Sequence, residues 1–133
     1  MFNIKSLRLL LNQAIKFSIV GVFGVFINYC IFLLALVIFE IHYLISGLLG
    51  YLFAAIPIFF LNRYWTFRSK VSIFKGFPIY LLINLITLSS HSLIQYISKE
   101  YMGVPEIYSQ ACGIFVSVII SFLLVRKLMK SKI

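Results

Sequence analysis

Four long apolar runs, separated by short polar stretches, dominate the pattern of this chain. They cover about residues 17–39, 44–61, 77–97 and 107–125. Each run has roughly the 20 residues that an α-helix needs to cross ~30 Å of hydrocarbon. The stretches between them are too short to form a separate soluble domain. The pattern therefore predicts an all-α membrane protein with four transmembrane helices in a single domain over residues 1–133.

The segment before the first run has a different pattern. Basic or amide side chains recur there at helical spacing, at Lys5, Arg8, Asn12 and Lys16, opposite an apolar face. Such a helix is typical of a segment that lies on a bilayer surface, so we expect a basic interfacial helix over residues 1–16. The apolar run that follows is longer than the ~7–15 residues of a cleavable signal core, and we expect the segment to be retained.

Composition agrees with a membrane location. Hydrophobic residues make up 62% of the chain and charged residues 11%, so a soluble domain of this length would lack a polar surface. The 12 Lys and Arg outnumber the 3 Asp and Glu, which is a balance also seen in nucleic-acid-binding proteins. The basic residues, however, lie between apolar runs. We therefore expect them to contact membrane headgroups, and we expect no nucleic-acid partner.

The positions of the charged residues predict the orientation of the helices. Every Lys and Arg except Lys99 lies in the N-terminal segment, in the loop 62–76 or in the tail after residue 125. The glutamates lie in the other two loops, at Glu40, Glu100 and Glu106. Because loops rich in Lys and Arg stay in the cytoplasm, both termini are predicted to be cytoplasmic.

The two halves of the chain share a short sequence. FFLNR (59–63) closes the second run, and FLLVR (122–126) closes the fourth run 63 residues later. Both precede a basic stretch. Two hairpins that enter from the same side of the membrane are parallel repeats about an axis along the membrane normal. The pattern therefore predicts a two-hairpin parallel repeat.

The third run carries the most polar residues. They fall on one helical face, at Tyr80, Asn84, Thr87, His91 and Gln95. Each needs a hydrogen-bonding partner in hydrocarbon, so the face must contact other helices or a wet groove. Two interpretations are open: the residues join helices, or they form, together with Asn28 of the first run, a polar path for a headgroup. His91 itself is either a neutral hydrogen-bonding partner or a proton sensor.

Small residues recur four positions apart in two of the runs. They are Ser46, Gly50 and Ala54 in the second run and Ser109, Gly113, Ser117 and Ser121 in the fourth. Such faces let helices approach closely in lipid, so we interpret them as packing seams. They also suit contact between copies of the chain, and we expect a homo-oligomer. Cys30 and Cys112 lie within apolar runs and form no metal motif, so no metal or cofactor is expected.

The second run ends in FFLNRYWTF (59–67), which we call the junction. An arginine at the end of a membrane helix commonly reaches the headgroups beside an interfacial tryptophan. Here the donors are denser, at Asn62, Arg63, Thr66 and Arg68. A guanidinium binds phosphate oxygens through two parallel hydrogen bonds, and aromatic faces stack on sugar rings. The junction is therefore either an interfacial anchor or a lipid-phosphate site.

KFSIVGVFGVFINYCIFLL (16–34) and GYLFAAIPIFFLNRYWTF (50–67) resemble the GtrA-like family of small four-span bacterial membrane proteins. The resemblance extends over roughly residues 14–128, and the junction is its specific part. Two positions depart from the family pattern. Ile58 stands where members usually have asparagine, and Val125 stands where many members repeat the asparagine of the signature.

The resemblance implies a role in building cell-surface polysaccharide. It implies movement of a polyprenyl-phosphate-linked sugar across the bacterial cytoplasmic membrane, commonly alongside a separate membrane glycosyltransferase. By the same resemblance the motif positions are Asn28, Asn62, Arg63, Trp65 and Phe67, with Arg126 as the second-half match.

The residues present favour a non-enzymatic role. The chain has no aspartate and its glutamates lie on the predicted outer side, whereas a metal-dependent glycosyltransferase normally needs cytoplasmic carboxylates. The sequence has no Gly-rich phosphate loop, and the runs lack the acid that a proton-coupled cation or drug exporter needs. Two hypotheses remain: flipping of the sugar lipid, and a non-transporting adaptor that recruits or stabilises a glycosyltransferase.

The flipping hypothesis assigns a role to each candidate residue. The lipid phosphate is expected to bind Arg63, Arg68 and Arg126. Asn62 and Trp65 are expected to orient the headgroup, with Phe67 as a further binding position. The route across the membrane is expected to be lined by Asn28, Asn84, His91 and Gln95.

Overall fold

The computed structural model describes residues 3–133, apart from the side chains of residues 43, 44, 106, 107 and 110. The helices are α1 (Ile4–Leu33), α2 (Tyr43–Leu61), α3 (Ile73–Glu100) and α4 (Glu106–Met129). Two π-helical turns, Leu34–Ile38 and Asn62–Thr66, extend α1 and α2. Among the described residues, four helices are long and apolar enough to cross a membrane. The predicted all-α architecture with four spans is confirmed.

Helix α1 is longer than the apolar run that predicted it. With its π-helical turn it extends from Ile4 to Ile38 over 35 residues, which is about 52 Å at 1.5 Å per residue. Its first turn is capped by Asn3, whose side chain accepts a hydrogen bond of 2.7 Å from the Ser6 amide. The segment expected as an interfacial helix over residues 1–16 is, in its described part, continuous with the first span. Since ~30 Å of hydrocarbon holds only part of this length, several turns of α1 extend beyond the membrane core.

The chain divides into two compact units, one up to Ser69 and one over Lys70–Ile133. In the first unit α1 packs on α2 as an antiparallel hairpin, because Gly24 contacts Ile58 while Asn28 contacts Gly50. Its buried side chains include Val20 and Phe59.

The second unit is the hairpin of α3 and α4. Its buried side chains include Tyr80, Ile83 and Val125. Large apolar side chains of both units are exposed along the helices, among them Phe26, Leu48, Leu85 and Phe115. An outer surface of this kind matches hydrocarbon and not water.

Small residues set the helix contact in each unit. A Cβ atom added to Gly50 would lie 2.6 Å from Asn28 Oδ1 and 2.7 Å from its carbonyl oxygen. A Cβ atom added to Gly113 would lie 2.8 Å from the His91 carbonyl oxygen. Ser46 and Ser109 are fully buried on the same helices. The small-residue faces of α2 and α4 are thus where each hairpin closes.

Equivalent contacts in the two units recur at the offset of 63 residues that separates FFLNR from FLLVR. The Asn28–Gly50 contact corresponds in this way to the His91–Gly113 contact. The π-helical turn after α1 is followed by a 3.0 Å hydrogen bond from Ile41 N to Ala35 O, and the end of α3 is followed by a 3.0 Å bond from Val104 N to Ser98 O, at the same offset. These correspondences support the two-hairpin repeat, which stays a prediction.

Candidate functional site

The junction lies where α2 changes from α-helical to π-helical hydrogen bonding. Phe59 is fully buried, and the π-helical turn begins at Asn62. The Asn62 carbonyl accepts a hydrogen bond of 2.9 Å from Phe67 N, five residues later. Such a turn holds one residue more than an α-helical turn and so rotates the side chains that follow it. As a result Asn62 and Thr66 point inward, while Trp65 is 40% exposed.

The Asn62 amide is only half satisfied. Its Oδ1 accepts a hydrogen bond of 3.0 Å from the Thr66 hydroxyl. Its Nδ2 is buried and has no hydrogen-bond partner in the part of the chain that the structure describes. An unsatisfied buried donor costs about 1–3 kcal/mol and requires an explanation when it occurs in a native fold.

Burial also changes the role that the sequence suggested for Asn62. The residue is 1% exposed, so in this arrangement its amide cannot touch a headgroup. Its inward position instead shapes the turn that presents Arg63 and Trp65. The side chain of Asn62 therefore lies beneath the exposed side chains of the junction, and its role in binding stays a prediction.

Two cations stand over aromatic rings of the junction. The guanidinium Cζ of Arg63 lies 4.7 Å from the centroid of the Tyr64 ring. The ammonium of Lys16, from α1, lies 5.3 Å from the centroid of the Trp65 ring. Both distances are within the range of a cation–π interaction. The neighbouring Phe17 and Phe67 rings also pack together, with centroids 6.3 Å apart, so α1 fixes the junction from one side.

Lys16 is the residue that sequence reasoning missed. Its helical spacing with Lys5 and Arg8 placed it in an interfacial helix, and nothing in that pattern relates it to Trp65. The available sequence signal for a role of Lys16 was its place at the start of KFSIVGVFG, directly before Phe17. The structure adds its positive charge to those of Arg63 and Arg68 at the junction.

Arg68, the residue directly after the junction, has an unusual backbone conformation. Its φ is +47°, in the left-handed region, which costs a residue with a Cβ atom about 1–2 kcal/mol. The following amide, Ser69 N, donates a hydrogen bond of 2.7 Å to Arg63 O and so holds the turn closed. Glycine adopts this conformation without strain. Glu40, directly after the end residue of the other π-helical turn, has the same left-handed backbone, with a φ of +52°.

The remaining candidate residues lie elsewhere. Asn28 is half-buried at its crossing with Gly50, within the first unit. Asn84, His91 and Gln95 are half-buried on α3 in the second unit, where Arg126 is half-buried in the last turn of α4.

The Nε2 atom of His91 is buried without a hydrogen-bond partner in the described chain, and Gly113 packs against the same ring. Within the described ranges, no group of three or more His, Cys, Asp or Glu side chains could hold a metal ion.

Four membrane-spanning helices with an exposed apolar surface define a multi-pass membrane protein of the all-α class. Residues 16–129 match the family model described as GtrA/DPMS, transmembrane domain, so the chain belongs to that family. The match begins at Lys16 and includes the whole junction. No curated protein matches the chain. The family is associated with membrane proteins of glycosyl-lipid handling and generally consists of non-catalytic membrane proteins.

Proposed function

We propose that this protein promotes the transbilayer movement of a polyprenyl-phosphate-linked sugar in the bacterial cytoplasmic membrane, for cell-surface polysaccharide synthesis or modification. The observation that carries the proposal is the junction. At the end of a membrane-spanning helix, it places Lys16 over the ring of Trp65 and Arg63 over the ring of Tyr64, and Arg68 follows directly in the chain. A phosphate anion and a sugar ring are the two chemical groups that such a surface binds well.

In this function Arg63 captures the lipid phosphate at the inner leaflet. The guanidinium gives two parallel hydrogen bonds to phosphate oxygens, and Arg68 adds charge from the adjacent turn. Trp65 offers an aromatic face to the sugar, while Phe67 packs on Phe17 and steadies the turn. Asn62 acts from below by holding the π-helical turn together with Thr66. This surface requires the loop 62–76 and both termini to be cytoplasmic.

Movement of the headgroup needs a polar route, because the transfer of a charged phosphate into hydrocarbon costs several kcal/mol at least. Asn28 and the α3 residues Asn84, His91 and Gln95 are the groups assigned to this route. The prenyl chain stays in lipid throughout. Copies of the protein side by side widen the route, which is why we assign a homo-oligomer. Net direction then comes from consumption of the lipid on the outer side by a membrane glycosyltransferase.

The test is lipid scrambling in liposomes that contain the purified protein and a fluorescent polyprenyl-phosphate sugar. Wild type should move the lipid between leaflets, and Arg63→Ala should be about tenfold slower or more, because a hydrogen bond to a charged group is worth about 1.5–3 kcal/mol. Arg8→Ala is the matched control, since it removes one exposed positive charge of α1 outside the family match. Equal rates for wild type and Arg63→Ala contradict the phosphate role of the junction.

A second function, a non-transporting adaptor for a glycosyltransferase, is favoured by one surface of the second unit. Phe74 is 93% exposed beside Lys75 at the start of α3. The chain end lies next to this position, because Ser72 N donates a hydrogen bond of 3.1 Å to Ile133 O. The tail residues Lys127, Lys130 and Lys132 are exposed as well. This basic and apolar surface suits an acidic protein partner.

Co-purification distinguishes the two functions. The adaptor forms a stable complex with a glycosyltransferase that Phe74→Ser weakens and Arg63→Ala leaves intact. A wild-type protein that forms this complex and scrambles no lipid supports the adaptor. A protein that scrambles alone, with Phe74→Ser as active as wild type, supports the flipping function.

A further inference from the structure

An open apolar groove runs between α1 and α2 next to the junction. Its volume is about 270 Å³, and it is lined by Ile19, Val20, Phe23, Leu61 and Trp65. Apart from the indole nitrogen of Trp65, these side chains contain only carbon and hydrogen. The groove is therefore suited to a hydrocarbon and not to a sugar or a peptide.

One end of this groove is positively charged. Trp65 is both a wall of the groove and the ring over which the Lys16 ammonium stands, at 5.3 Å from the centroid. Arg63 stands in the same way over the ring of the adjacent residue, Tyr64. The groove and Lys16 thus meet at Trp65, and Arg63 lies two residues before it in the chain. An apolar slot with a cation at its end complements a ligand with an anionic group directly attached to an apolar chain.

We propose that this groove binds the phosphate-proximal isoprene units of a polyprenyl phosphate, and that Lys16 holds the phosphate as a second cation beside Arg63. The inference rests on the proposed function, in that both use the same lipid, and it adds a site for the chain and a further binding residue. It also gives the lipid a fixed position before any movement begins. The sugar, attached on the far side of the phosphate, is left free to face the polar side of the junction.

The linkage between phosphate and chain distinguishes this lipid from a glycerophospholipid. In a polyprenyl phosphate the first apolar carbons follow the phosphate oxygen directly. In a glycerophospholipid, glycerol and ester oxygens come between the phosphate and the acyl chains. Placed in this groove, those ester oxygens would lie against Ile19, Phe23 and Leu61 without hydrogen-bond donors, which is unfavourable. The groove therefore selects against acyl lipids of the same charge.

The size of the groove limits how much chain it takes. At about 30 Å³ for each water-sized group, the 270 Å³ holds on the order of nine heavy atoms, or roughly two isoprene units. The rest of a long prenyl chain then extends into the bilayer. Recognition is confined to the end of the lipid that carries the phosphate, so chain length beyond these units should have little effect on binding.

Trp65 makes the test direct, because it is the one tryptophan of the chain and lines the groove. Purified protein in detergent is titrated with farnesyl phosphate while Trp65 emission is recorded. The expected result is a saturable change in emission. Farnesol, inorganic phosphate and a phosphatidic acid, which supply the chain alone, the anion alone and an acyl phosphate, should each bind about tenfold more weakly or worse.

Two variant pairs assign the two parts of the ligand. Lys16→Gln should weaken farnesyl phosphate about tenfold and leave farnesol unchanged, whereas Lys5→Gln, which removes an exposed charge of the same helix, should change neither. Ile19→Phe, which fills the groove, should weaken both ligands. Val22→Phe, on the exposed side of α1 and outside the groove, should weaken neither. Ile19 is 54% exposed, so the added volume is accommodated without unfolding the hairpin.

The outcomes separate this inference from the proposed function. A response of Trp65 to phosphatidic acid as strong as to farnesyl phosphate overturns the groove assignment, whatever the scrambling assay gives. Equal affinities for wild type and Lys16→Gln overturn the role of Lys16. Selective, Lys16-dependent binding of farnesyl phosphate supports the site even in a protein that scrambles no lipid, and in that case the proposed transport function fails on its own.

Discussion

At the scale of single residues, the junction combines buried polar groups with half-buried cations over exposed aromatic rings. Asn62 and Thr66 satisfy each other in part, at 1% and 4% exposure, and leave one amide donor unpaired in the described chain. Arg63 and Lys16 lie over the two aromatic rings that the same turn pushes outward. The inward pair costs stability, whereas the proposed function rests on the outward pair.

Substitution of the inward pair should separate stability from function. Thr66→Val leaves Asn62 Oδ1 without its donor, so the free energy of unfolding should fall by about 1–3 kcal/mol. The double variant Asn62→Leu/Thr66→Val replaces both partners with apolar groups and should be as stable as wild type or more stable. Both should scramble lipid slowly. The measurements are denaturant unfolding in mixed micelles, followed by circular dichroism, and the liposome assay.

The opposite pattern would change the interpretation. If the double variant is as unstable as Thr66→Val and scrambles at the wild-type rate, the polar pair serves folding alone.

Arg68 allows a second separation of the same kind. Arg68→Gly should raise the free energy of unfolding by about 1 kcal/mol, because glycine accepts a φ of +47° without strain, and it should weaken phosphate binding at the junction. Glu40→Gly is the matched control, since Glu40 has a φ of +52° at the end of the other π-helical turn. Glu40→Gly should also raise the free energy of unfolding, and this variant should keep the wild-type scrambling rate. A fully active Arg68→Gly would remove Arg68 from the site.

At the scale of the elements, each hairpin closes where a glycine meets a polar side chain of the opposite helix. Gly50 contacts Asn28, and Gly113 contacts His91. The contact leaves no room for a Cβ atom, so the helix axes approach closely at these points. In the second unit the contact also covers the His91 ring, whose Nε2 lacks a partner in the described chain.

A glycine pair on α2 tests the importance of this contact. Gly50→Ala should lower the stability of the protein in mixed micelles by about 1–3 kcal/mol, since its Cβ would lie 2.6 Å from Asn28 Oδ1 and the backbone must shift. Gly47→Ala, one turn earlier, meets nothing within 4 Å and should be neutral or stabilising. Equal stability of the two variants would show that α1 and α2 are not closely packed at Gly50.

The elements also show how far sequence can predict this molecule. Apolar length alone predicts four spans, because twenty consecutive apolar residues have few other solutions. The same runs do not locate the ends of α1 and α3, since polar turns extend a helix without any apolar signal. The π-helical turn at Asn62 is not predictable from the pattern either. The 3.6-residue period of the sequence does not reveal where a π-helical turn adds one residue to a helix. The burial of Asn62 and the exposure of Trp65 are therefore known only from the structure.

The contact between Lys16 and Trp65 is also not predictable from the sequence. Lys16 lies 49 positions earlier in the chain, and only the packing of α1 against the junction brings it near. Arg63, in contrast, lies over the ring of Tyr64, its neighbour in the sequence. A site formed by one segment is predictable from that segment, whereas a contribution from another helix requires the register of the helix pair.

At the scale of the whole molecule, the predicted repeat is unequal where it matters for binding. Val125 and Met129 occupy the positions that correspond to Asn62 and Thr66, and all four side chains are buried. Helix α4 continues to Met129 without a π-helical turn. The second hairpin thus retains the packing contacts of the first but replaces its polar pair with apolar side chains. We therefore propose that the first hairpin holds the main lipid site, and Arg126 stays a predicted phosphate-binding residue of the second hairpin.

Orientation in the membrane decides whether that site faces the right leaflet. In a variant without Cys30 and Cys112, a cysteine at Lys70 should react with a membrane-impermeant maleimide only after the cells are opened, whereas a cysteine at Met102 should react in intact cells. Both positions are exposed. Labelling of the Lys70 position in intact cells would place the junction at the outer leaflet and contradict capture of a lipid made in the cytoplasm.

The unbroken length of α1 has a practical consequence for a 15.3 kDa protein that is too small for imaging by cryo-electron microscopy. A rigid soluble helical partner fused in phase ahead of Ile4 would continue the same helical axis as far as Lys16, about 18 Å further on. The fusion would add mass and an alignment feature without touching either hairpin. Particles of this kind would allow density for a bound lipid head beside Arg63 to be seen directly.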